Sequence, residues 1–253
     1  MALIETEVRD RVGILTLNDP EKRNAITLAM NDEIVAQIDA WEADDGVGAV
    51  VLTGAGKGFC AGADLDDLLS GENAEEMKEI YAGFLRIAHS SLPIIGAVNG
   101  AAVGAGMNML LACDMAVAAR DRARFDSRFL QIAIHPGGGH TWRLRSIVGH
   151  QTTMAMVMFG RVLSAERAAE VGLVWQVVDD DQLIDAAVAI AAVAAGQPKE
   201  LNARTKASIL TLDTVTESDA AVEHEIHPQV WSMEQPDFRA LVERLQQNIS
   251  SKS

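Results

Sequence analysis

The chain has 253 residues with a formal net charge of −15 at pH 7, and 49% of its residues are hydrophobic. A chain of this length and composition can bury a core without disulfides or a structural metal. The acidic balance argues against a general nucleic-acid-binding protein, because such proteins present a basic face. Two separate cysteines, Cys60 and Cys113, favour free thiols in a reducing compartment.

Signals for export and for membrane insertion are weak. The N-terminal residues show no basic stretch followed by an apolar one, so we expect no secretory signal and a cytoplasmic location. Residues 93–113 carry no charge, and as a helix this segment would be long enough to cross a bilayer. That segment is mostly Ala and Gly and contains Asn99 and Asn108, which favours a buried strand followed by a buried helix. We therefore expect no membrane partner.

Apolar periodicity predicts the elements in chain order. A strand at residues 14–17 ends in an Asn-Asp-Pro turn, and Thr27 is the expected cap of a helix whose apolar positions run to Trp41. Continuous apolar runs, typical of strands buried on both faces, occupy residues 49–53, 94–98 and 115–119. A helix is predicted at residues 105–112. This alternation indicates an α/β fold with crossover connections.

The pattern changes from about Asp179 onward. Ala-rich helical stretches follow at residues 183–195 and 202–212, and the tail over residues 219–248 is helical in period. The sequence thus predicts an α/β core over residues 1–195 and a helical C-terminal region over residues 196–253.

Two segments imitate other ligand motifs. The glycine spacing of a dinucleotide-binding turn occurs in reverse order at Gly100, Gly104 and Gly106. Asp121 follows at the sequence separation expected for an acidic residue that binds a ribose. A nucleotide-dependent oxidoreductase therefore stays an alternative. The histidines of residues 224–227 have the wrong spacing for a zinc-binding helix, so we predict no metal site.

Two Gly-rich segments each follow a predicted buried strand: residues 58–65, G-F-C-A-G-A-D-L, and residues 98–106, V-N-G-A-A-V-G-A-G. Small residues let a backbone approach a ligand closely. Free backbone N–H groups in such turns can bind an oxyanion. The second segment also begins a helix, and the N-terminus of a helix favours negative charge. Two converging donors would stabilise a thioester enolate, each worth ~10²–10³ in rate. Taken singly, each segment also fits glycines that only permit tight packing.

Three further segments accompany these two: E-K-R-N-A at residues 21–25, A-C-D-M-A-V-A-A at residues 112–119, and A-x-x-x-G-L-V at residues 168–174. Together the five resemble the enoyl-CoA hydratase/isomerase (crotonase) superfamily, in the family's order. The resemblance implies a spiral of ββα units with a helical C-terminal region. It also implies an acyl-CoA thioester partner, with coenzyme A as part of the substrate and no separate cofactor, and a homotrimer or dimer of trimers.

The resemblance assigns roles by position. It implies that the backbone N–H groups of Ala63 and Ala105 form an oxyanion hole, and that Lys22 and Arg23 lie near the CoA phosphates. The residues implied to line the nucleotide and pantetheine are Ala25, Ala61, Asp64 and Leu65. Asp66 stands where hydratases often carry a lysine, which weakens the expected contacts with the nucleotide.

Two positions depart from the hydratase pattern. Hydratases use two carboxylates to hold and ionise water, and the resemblance places Asn108 and Phe129 at these positions. Neither transfers a proton, although an amide still holds water through hydrogen bonds. General acid–base groups are worth ~10²–10⁴ each and act non-additively. We therefore expect weak or absent hydration of short enoyl-CoA thioesters.

Substitute acid–base groups are available in the segment I-H-P-G-G-G-H at residues 134–140, where other family members place alternative catalytic residues. Histidine is a common general acid or base, so His135 and His140 are candidates, although each also fits a purely structural role. Asp67 and Asp126 are further candidates near the acyl chain. Three hypotheses remain: an enzyme of hydratase/isomerase type with unconventional proton transfer, a non-catalytic acyl-CoA-binding protein, and the nucleotide-dependent oxidoreductase.

Overall fold

The computed structural model describes residues 2–70, 73–212 and 214–250. The chain divides into two compact units, residues 1–196 and 197–253. The strands of the first unit, in chain order, are β1 (Ile4–Arg9), β2 (Val12–Leu17), β3 (Ala49–Gly54), β4 (Gly58–Cys60), β5 (Ile94–Val98), β6 (Ala101–Val103), β7 (Met115–Ala119), β8 (Arg124–Asp126), β9 (Leu163–Ser164) and β10 (Gln176–Val178).

The helices of both units follow the same order. They are α1 (Leu28–Ala43), α2 (Leu65–Ser70), α3 (Ala74–Ile80), α4 (Ala82–Ala88), α5 (Ala105–Leu111), α6 (His140–Val157), α7 (Ala165–Glu170), α8 (Leu183–Ala195), α9 (Lys199–Leu212), α10 (Ser218–Glu234) and α11 (Pro236–Ser250). Short 3₁₀ turns lie at Pro20–Lys22, Leu130–Ile132 and Asp180–Gln182.

The larger sheet has six strands in the order β1-β2-β3-β5-β7-β10. β1 and β2 form an antiparallel hairpin at its edge, and the remaining neighbours are parallel. Asp10 and Arg11, the two residues between the hairpin strands, both have positive φ, as a tight hairpin turn with right-handed strand twist requires.

The smaller sheet has the order β4-β6-β8-β9, with β4, β6 and β8 parallel. β3, β5 and β7 of the larger sheet are each followed in sequence by a strand of the smaller one. Each turn of the chain thus adds one strand to each sheet, which builds a spiral. Because β4, β6 and β8 run parallel, they end on the same edge of the smaller sheet, and that edge carries the Gly-rich segments.

The core lies on both faces of the larger sheet. Along β3, Val50 and Leu52 belong to a cluster with α1, α4 and α5, whereas Ala49 and Val51 belong to a second cluster that packs against α8. This alternation explains why the parallel strands show continuous apolar runs and not alternating ones.

The second unit consists of α9, α10 and α11, and α10 packs against both others. The guanidinium carbon of Arg204 on α9 lies 4.2 Å from the ring centroid of Trp231 on α10, within cation–π range. Within the described ranges of the chain, no helix combines the length and apolarity needed to cross a bilayer.

The predicted strands at residues 49–53, 94–98 and 115–119 correspond to β3, β5 and β7. The Oγ1 of Thr27 accepts the backbone N–H of Met30 at 3.1 Å, so its predicted capping role is confirmed. Two details differ. Strand β1 was missed because it is a mostly exposed edge strand of mixed polarity, and the predicted helical tail is two helices, separated at Gln235.

Candidate active site

The two Gly-rich segments meet at the end of the smaller sheet. A Cβ on Gly106 would overlap the carbonyl oxygen of Cys60, so the first turn of α5 rests directly on the end of β4. A Cβ on Gly62, which has φ +119°, would lie 3.3 Å from the carbonyl oxygen of Val103 and 4.0 Å from the nitrogen of Ala105. The loop around residue 62 and the start of α5 are therefore in backbone contact.

Both predicted oxyanion donors carry an unused N–H. The two residues beside Ala63 both bond to the backbone of Ile26. The N–H of Ile26 donates to the carbonyl of Gly62, and the N–H of Asp64 donates to the carbonyl of Ile26, each at 2.8 Å. The N–H of Ala63 therefore faces away from Ile26. Ala105 is the first residue of α5, where helical N–H groups lack an intrahelical partner. Among the residues described, neither amide N–H has a hydrogen-bond acceptor.

The conformation of Gly104 sets the direction of the second donor. Its φ of 52° and ψ of −110° suit glycine, and its own N–H donates to the carbonyl of Asp126 at 3.0 Å. The chain is thereby tied to the end of β8 just before Ala105. The N–H of Ala105 is left pointing out of the first turn of the helix, where negative charge is favoured.

Asn24 anchors the segment predicted to bind coenzyme A. It is fully buried with φ 58°, and its side-chain amide donates to the carbonyls of Ala55, Gly58 and Phe59 at 2.9–3.2 Å. The Oδ1 of the same residue accepts the N–H of Asp19 at 3.0 Å. Asn tolerates this left-handed conformation better than other non-glycine residues. The segment is thus fixed beside the first oxyanion loop.

Most of the predicted CoA-binding residues are neighbours. Ala61 donates its N–H to the carbonyl of Arg23 at 3.0 Å, and partly buried Ala25 precedes the residue that pairs with Ala63. The Nζ of Lys22 lies 3.2 Å from the Oδ2 of Asp64, an ion pair whose hydrogen bond lowers the pKa of that carboxyl.

Leu65 and Asp66, the other two predicted CoA-binding residues, begin α2. Leu65 is 64% exposed, and the exposed Asp66 donates its backbone N–H to the Oδ1 of Asp64 at 3.0 Å. Their side chains are open to a ligand but bring no positive charge to the site.

A chain of hydrogen bonds connects Asn108, one of the two positions that depart from the hydratase pattern, to His140 and Ser127. The Nδ2 of Asn108 donates to the carbonyl of Gly137 at 3.1 Å, and its Oδ1 lies 2.8 Å from the Nδ1 of His140. Because a backbone carbonyl only accepts, the Oδ1 must face the histidine, and Nδ1 carries the proton. The Nε2 of His140 then accepts from the hydroxyl of Ser127 at 2.9 Å.

This network is buried and neutral. His140 is 1% exposed, and burial lowers its pKa to about 4. Phe129 packs its ring edge-on against the imidazole, with centroids 4.7 Å apart. The structure thus brings together Asn108, Phe129 and His140. Sequence reasoning missed Ser127, whose only signal was its position directly after β8.

The side chains of the remaining acid–base candidates are not part of this hydrogen-bond network. His135 is exposed, its Nδ1 lies 2.7 Å from the carbonyl oxygen of Pro136, and it lines an apolar groove of about 1000 Å³ beside α6. Asp67 accepts the backbone N–H of Leu28 at 3.0 Å, and Asp126 forms a 2.6 Å ion pair with Arg128. The residues that line the groove include neither oxyanion loop.

The glycines that suggested dinucleotide binding have a packing role. A Cβ on Gly100 would overlap the carbonyl oxygen of Lys57, and one on Gly106 would overlap that of Cys60. Asp121, the predicted ribose ligand, donates its backbone N–H to Asp180 at 3.0 Å. Close backbone packing therefore explains these glycines without a bound pyrophosphate.

Comparisons with known proteins point to one family. A family model described as enoyl-CoA hydratase/isomerase matches residues 7–250. A probable enoyl-CoA hydratase, EchA14, from Mycobacterium tuberculosis is 42% identical over 242 residues, covering 92% of this chain and 93% of the relative. The 1,2-epoxyphenylacetyl-CoA isomerase of Escherichia coli is 38% identical over 205 residues, covering 78% of each.

Solved structures share the whole fold. The crystal structure of an enoyl-CoA hydratase from Bacillus anthracis superposes with a TM-score of 0.90 at 27% identity, covering 98% of this chain and 97% of that one. The predicted fold class, an α/β spiral of ββα units, is confirmed.

Proposed function

The chain belongs to the enoyl-CoA hydratase/isomerase family, and from that premise we propose that it binds an acyl-CoA thioester and stabilises the thioester enolate. The backbone N–H groups of Ala63 and Ala105 hold the enolate oxygen. The observation that carries this proposal is the pair of unused amides in two loops that contact each other. Preorganised donors of this kind are worth ~10²–10³ in rate each, because they need no reorganisation as charge develops.

Proton transfer is assigned to His140. The hydratase carboxylates are replaced by Asn108 and Phe129, and neither transfers a proton. A histidine whose pKa burial lowers to about 4 is about as basic as an ordinary glutamate. Its protonated Nδ1 is held by Asn108 and its Nε2 accepts from Ser127, which supports the role we assign to Ser127, a relay between the imidazole and the acyl group.

This arrangement favours isomerase-type chemistry over efficient hydration. A glutamate pair both orients water and exchanges its protons, whereas here one neutral imidazole replaces two carboxylates. Moving a proton within the acyl group needs the enolate and one base. Adding water needs in addition a group that holds and ionises that water. The enzymatic class proposed is therefore an isomerase or lyase of this family with low hydratase activity.

Turnover and binding measured side by side test the proposal. Crotonyl-CoA, a dienoyl-CoA and 3-hydroxybutyryl-CoA serve as substrates, each assayed for conversion and for its Kd. We expect His140→Gln to lower turnover by ~10²–10⁴ with little change in Kd. His135→Ala is the comparison variant, and an equal loss there would move the proton-transfer role to His135.

Two outcomes would replace the proposal. Tight binding of every thioester without conversion would make the chain a non-catalytic acyl-CoA-binding protein. Binding of a nicotinamide dinucleotide in place of coenzyme A would make it an oxidoreductase.

We further propose that the chain assembles as a homotrimer or a dimer of trimers, as the family resemblance implies. We also propose a cytoplasmic location. Analytical ultracentrifugation measures the assembly directly. A stable monomer that converts an acyl-CoA thioester would contradict it.

A further inference from the structure

The chain has one tyrosine, Tyr81, at the junction of α3 and α4. It is partly buried, and its ring lies against Phe84 with centroids 5.4 Å apart. A Cβ on Gly137 would overlap the Tyr81 hydroxyl oxygen and lie 3.1 Å from the ring carbon that carries it. The phenol therefore reaches the backbone of Gly137, and only glycine leaves it this space.

Gly137 belongs to the candidate active site. Its carbonyl accepts the Nδ2 of Asn108 at 3.1 Å. A Cβ on the next residue, Gly138, would lie 3.1 Å from that same Nδ2 and would overlap the ring of Phe84. Asn108 lies one helical turn beyond the oxyanion donor Ala105. The Tyr81 hydroxyl thus lies against Gly137, whose carbonyl holds the Asn108 side chain of the candidate active site.

The other polar side chains of this region are hydrogen-bonded to one another. Asn108 uses its amide for Gly137 and its oxygen for His140, and the second nitrogen of His140 accepts from Ser127. Within the described part of the chain, the Tyr81 hydroxyl has no hydrogen-bond partner. Burial raises the pKa of this phenol, so it keeps its proton and acts as a donor at neutral pH.

We propose that Tyr81 is a specificity-determining residue whose hydroxyl hydrogen-bonds to an oxygen substituent on the acyl chain, beyond the thioester carbonyl. The inference rests on the proposed acyl-CoA function. A plain hydrocarbon chain that binds here leaves the hydroxyl without a hydrogen-bond partner, which lowers the affinity for that chain. The preferred substrate class is therefore an oxygenated acyl-CoA, such as a hydroxyacyl thioester.

Binding ratios test this assignment. The Kd of butyryl-CoA is divided by the Kd of 3-hydroxybutyryl-CoA and, separately, by that of 4-hydroxybutyryl-CoA, all measured by calorimetry. A neutral hydrogen bond predicts a ratio of ~3–10 for at least one hydroxyacyl thioester in the unmodified protein. Tyr81→Phe removes a single oxygen atom and keeps the ring packing, and its ratio should fall to ~1.

A second variant tests the geometry. Gly137→Ala places a methyl group where the hydroxyl lies, so the phenol must move and the ratio should fall as well. Ratios near one in the unmodified protein, or a preference that survives Tyr81→Phe, would overturn the assignment and leave the proposed function intact. If none of the three thioesters binds, the proposed function fails together with it.

Discussion

The two sides of the candidate active site are built from different parts of the chain. The oxyanion side consists of main-chain N–H groups in two loops that contact each other, and both donors are unused. The acid–base side consists of the side chains of Asn108, His140 and Ser127, and their polar groups are bonded to one another.

This contrast supports the proposal that the site keeps the ligand of the family and changes its reaction. A main-chain donor depends on loop geometry and not on side-chain identity, so an alanine at residue 105 still supplies it. The acid–base side depends on particular side chains, and replacing two carboxylates has produced a different, neutral network. Thioester binding is therefore expected to follow the family, while proton transfer departs from it.

The largest expected effect lies in hydration. If the acid–base side lacks a water-activating pair, crotonyl-CoA should be hydrated at least ~10³-fold more slowly than by a family member with both glutamates. Loss of the enoyl thioester absorbance measures the rate. Normal hydratase turnover, unaffected by Asn108→Ala, would show that the site is assigned to the wrong residues.

The neutral network also predicts a pH-dependent stability. Burial lowers the pKa of His140 from 6.5 to about 4. The unfolded chain therefore takes up a proton near pH 6.5, whereas the folded protein does so only near pH 4. The stability associated with this residue is present above pH 6.5 and is lost as the pH falls to 4, by about 3 kcal/mol.

Urea unfolding of the unmodified protein and of His140→Gln at pH 7.5, 5.5 and 4 isolates this effect. The variant retains the other titrating groups. A difference between the two proteins in how the free energy of unfolding changes with pH is therefore caused by His140. Parallel stability curves for the two proteins would mean that the imidazole is not held neutral by burial.

Asn24 tests how the fold supports the CoA-binding segment. Asn24→Ala leaves buried carbonyls without donors and puts alanine at a positive φ, so we expect a loss of about 2 kcal/mol in the free energy of unfolding. The matched control is Asn18→Ala, whose side chain bonds to exposed Glu5 and should change stability by less than about 0.5 kcal/mol. Equal losses in both would contradict the anchoring role.

The smallest effect is expected at the ion pair of Lys22 and Asp64. If the CoA phosphates bind this exposed lysine as predicted, the carboxylate competes with them, and Lys22→Ala should weaken CoA binding by ~2–5-fold at low salt, and less at high salt. Asp64→Asn should strengthen it. A salt-independent Kd in all three proteins would place the phosphates elsewhere.

The sequence predicted the parts of this molecule that depend on local pattern. Buried parallel strands such as β3 have continuous apolar runs, and the Gly-rich motif around residue 62 carries the resemblance from which the oxyanion segment is predicted. The smaller sheet was beyond reach because its strands have two or three residues, too few for a period.

The hydrogen-bond network was also beyond local reasoning. Asn108 and His140 are 32 residues apart in the chain, and only the packing of α5 against α6 brings them together. Each residue was a candidate by itself, but their contact fixes the imidazole tautomer and occupies the amide. Tyr81 was not a candidate, because its contact with Gly137 joins residues 56 positions apart in the chain.

The absorbance spectrum of a bound dienoyl-CoA tests the central claim most directly, because oxyanion donors polarise the conjugated carbonyl without any turnover. Ala105→Pro removes the N–H at the first position of a helix, where proline is tolerated, and Ala105→Gly keeps it. We expect a red shift on binding to the unmodified protein and to Ala105→Gly, and a much smaller shift in Ala105→Pro. An equal shift in all three, or none in the unmodified protein at saturation, would contradict the account.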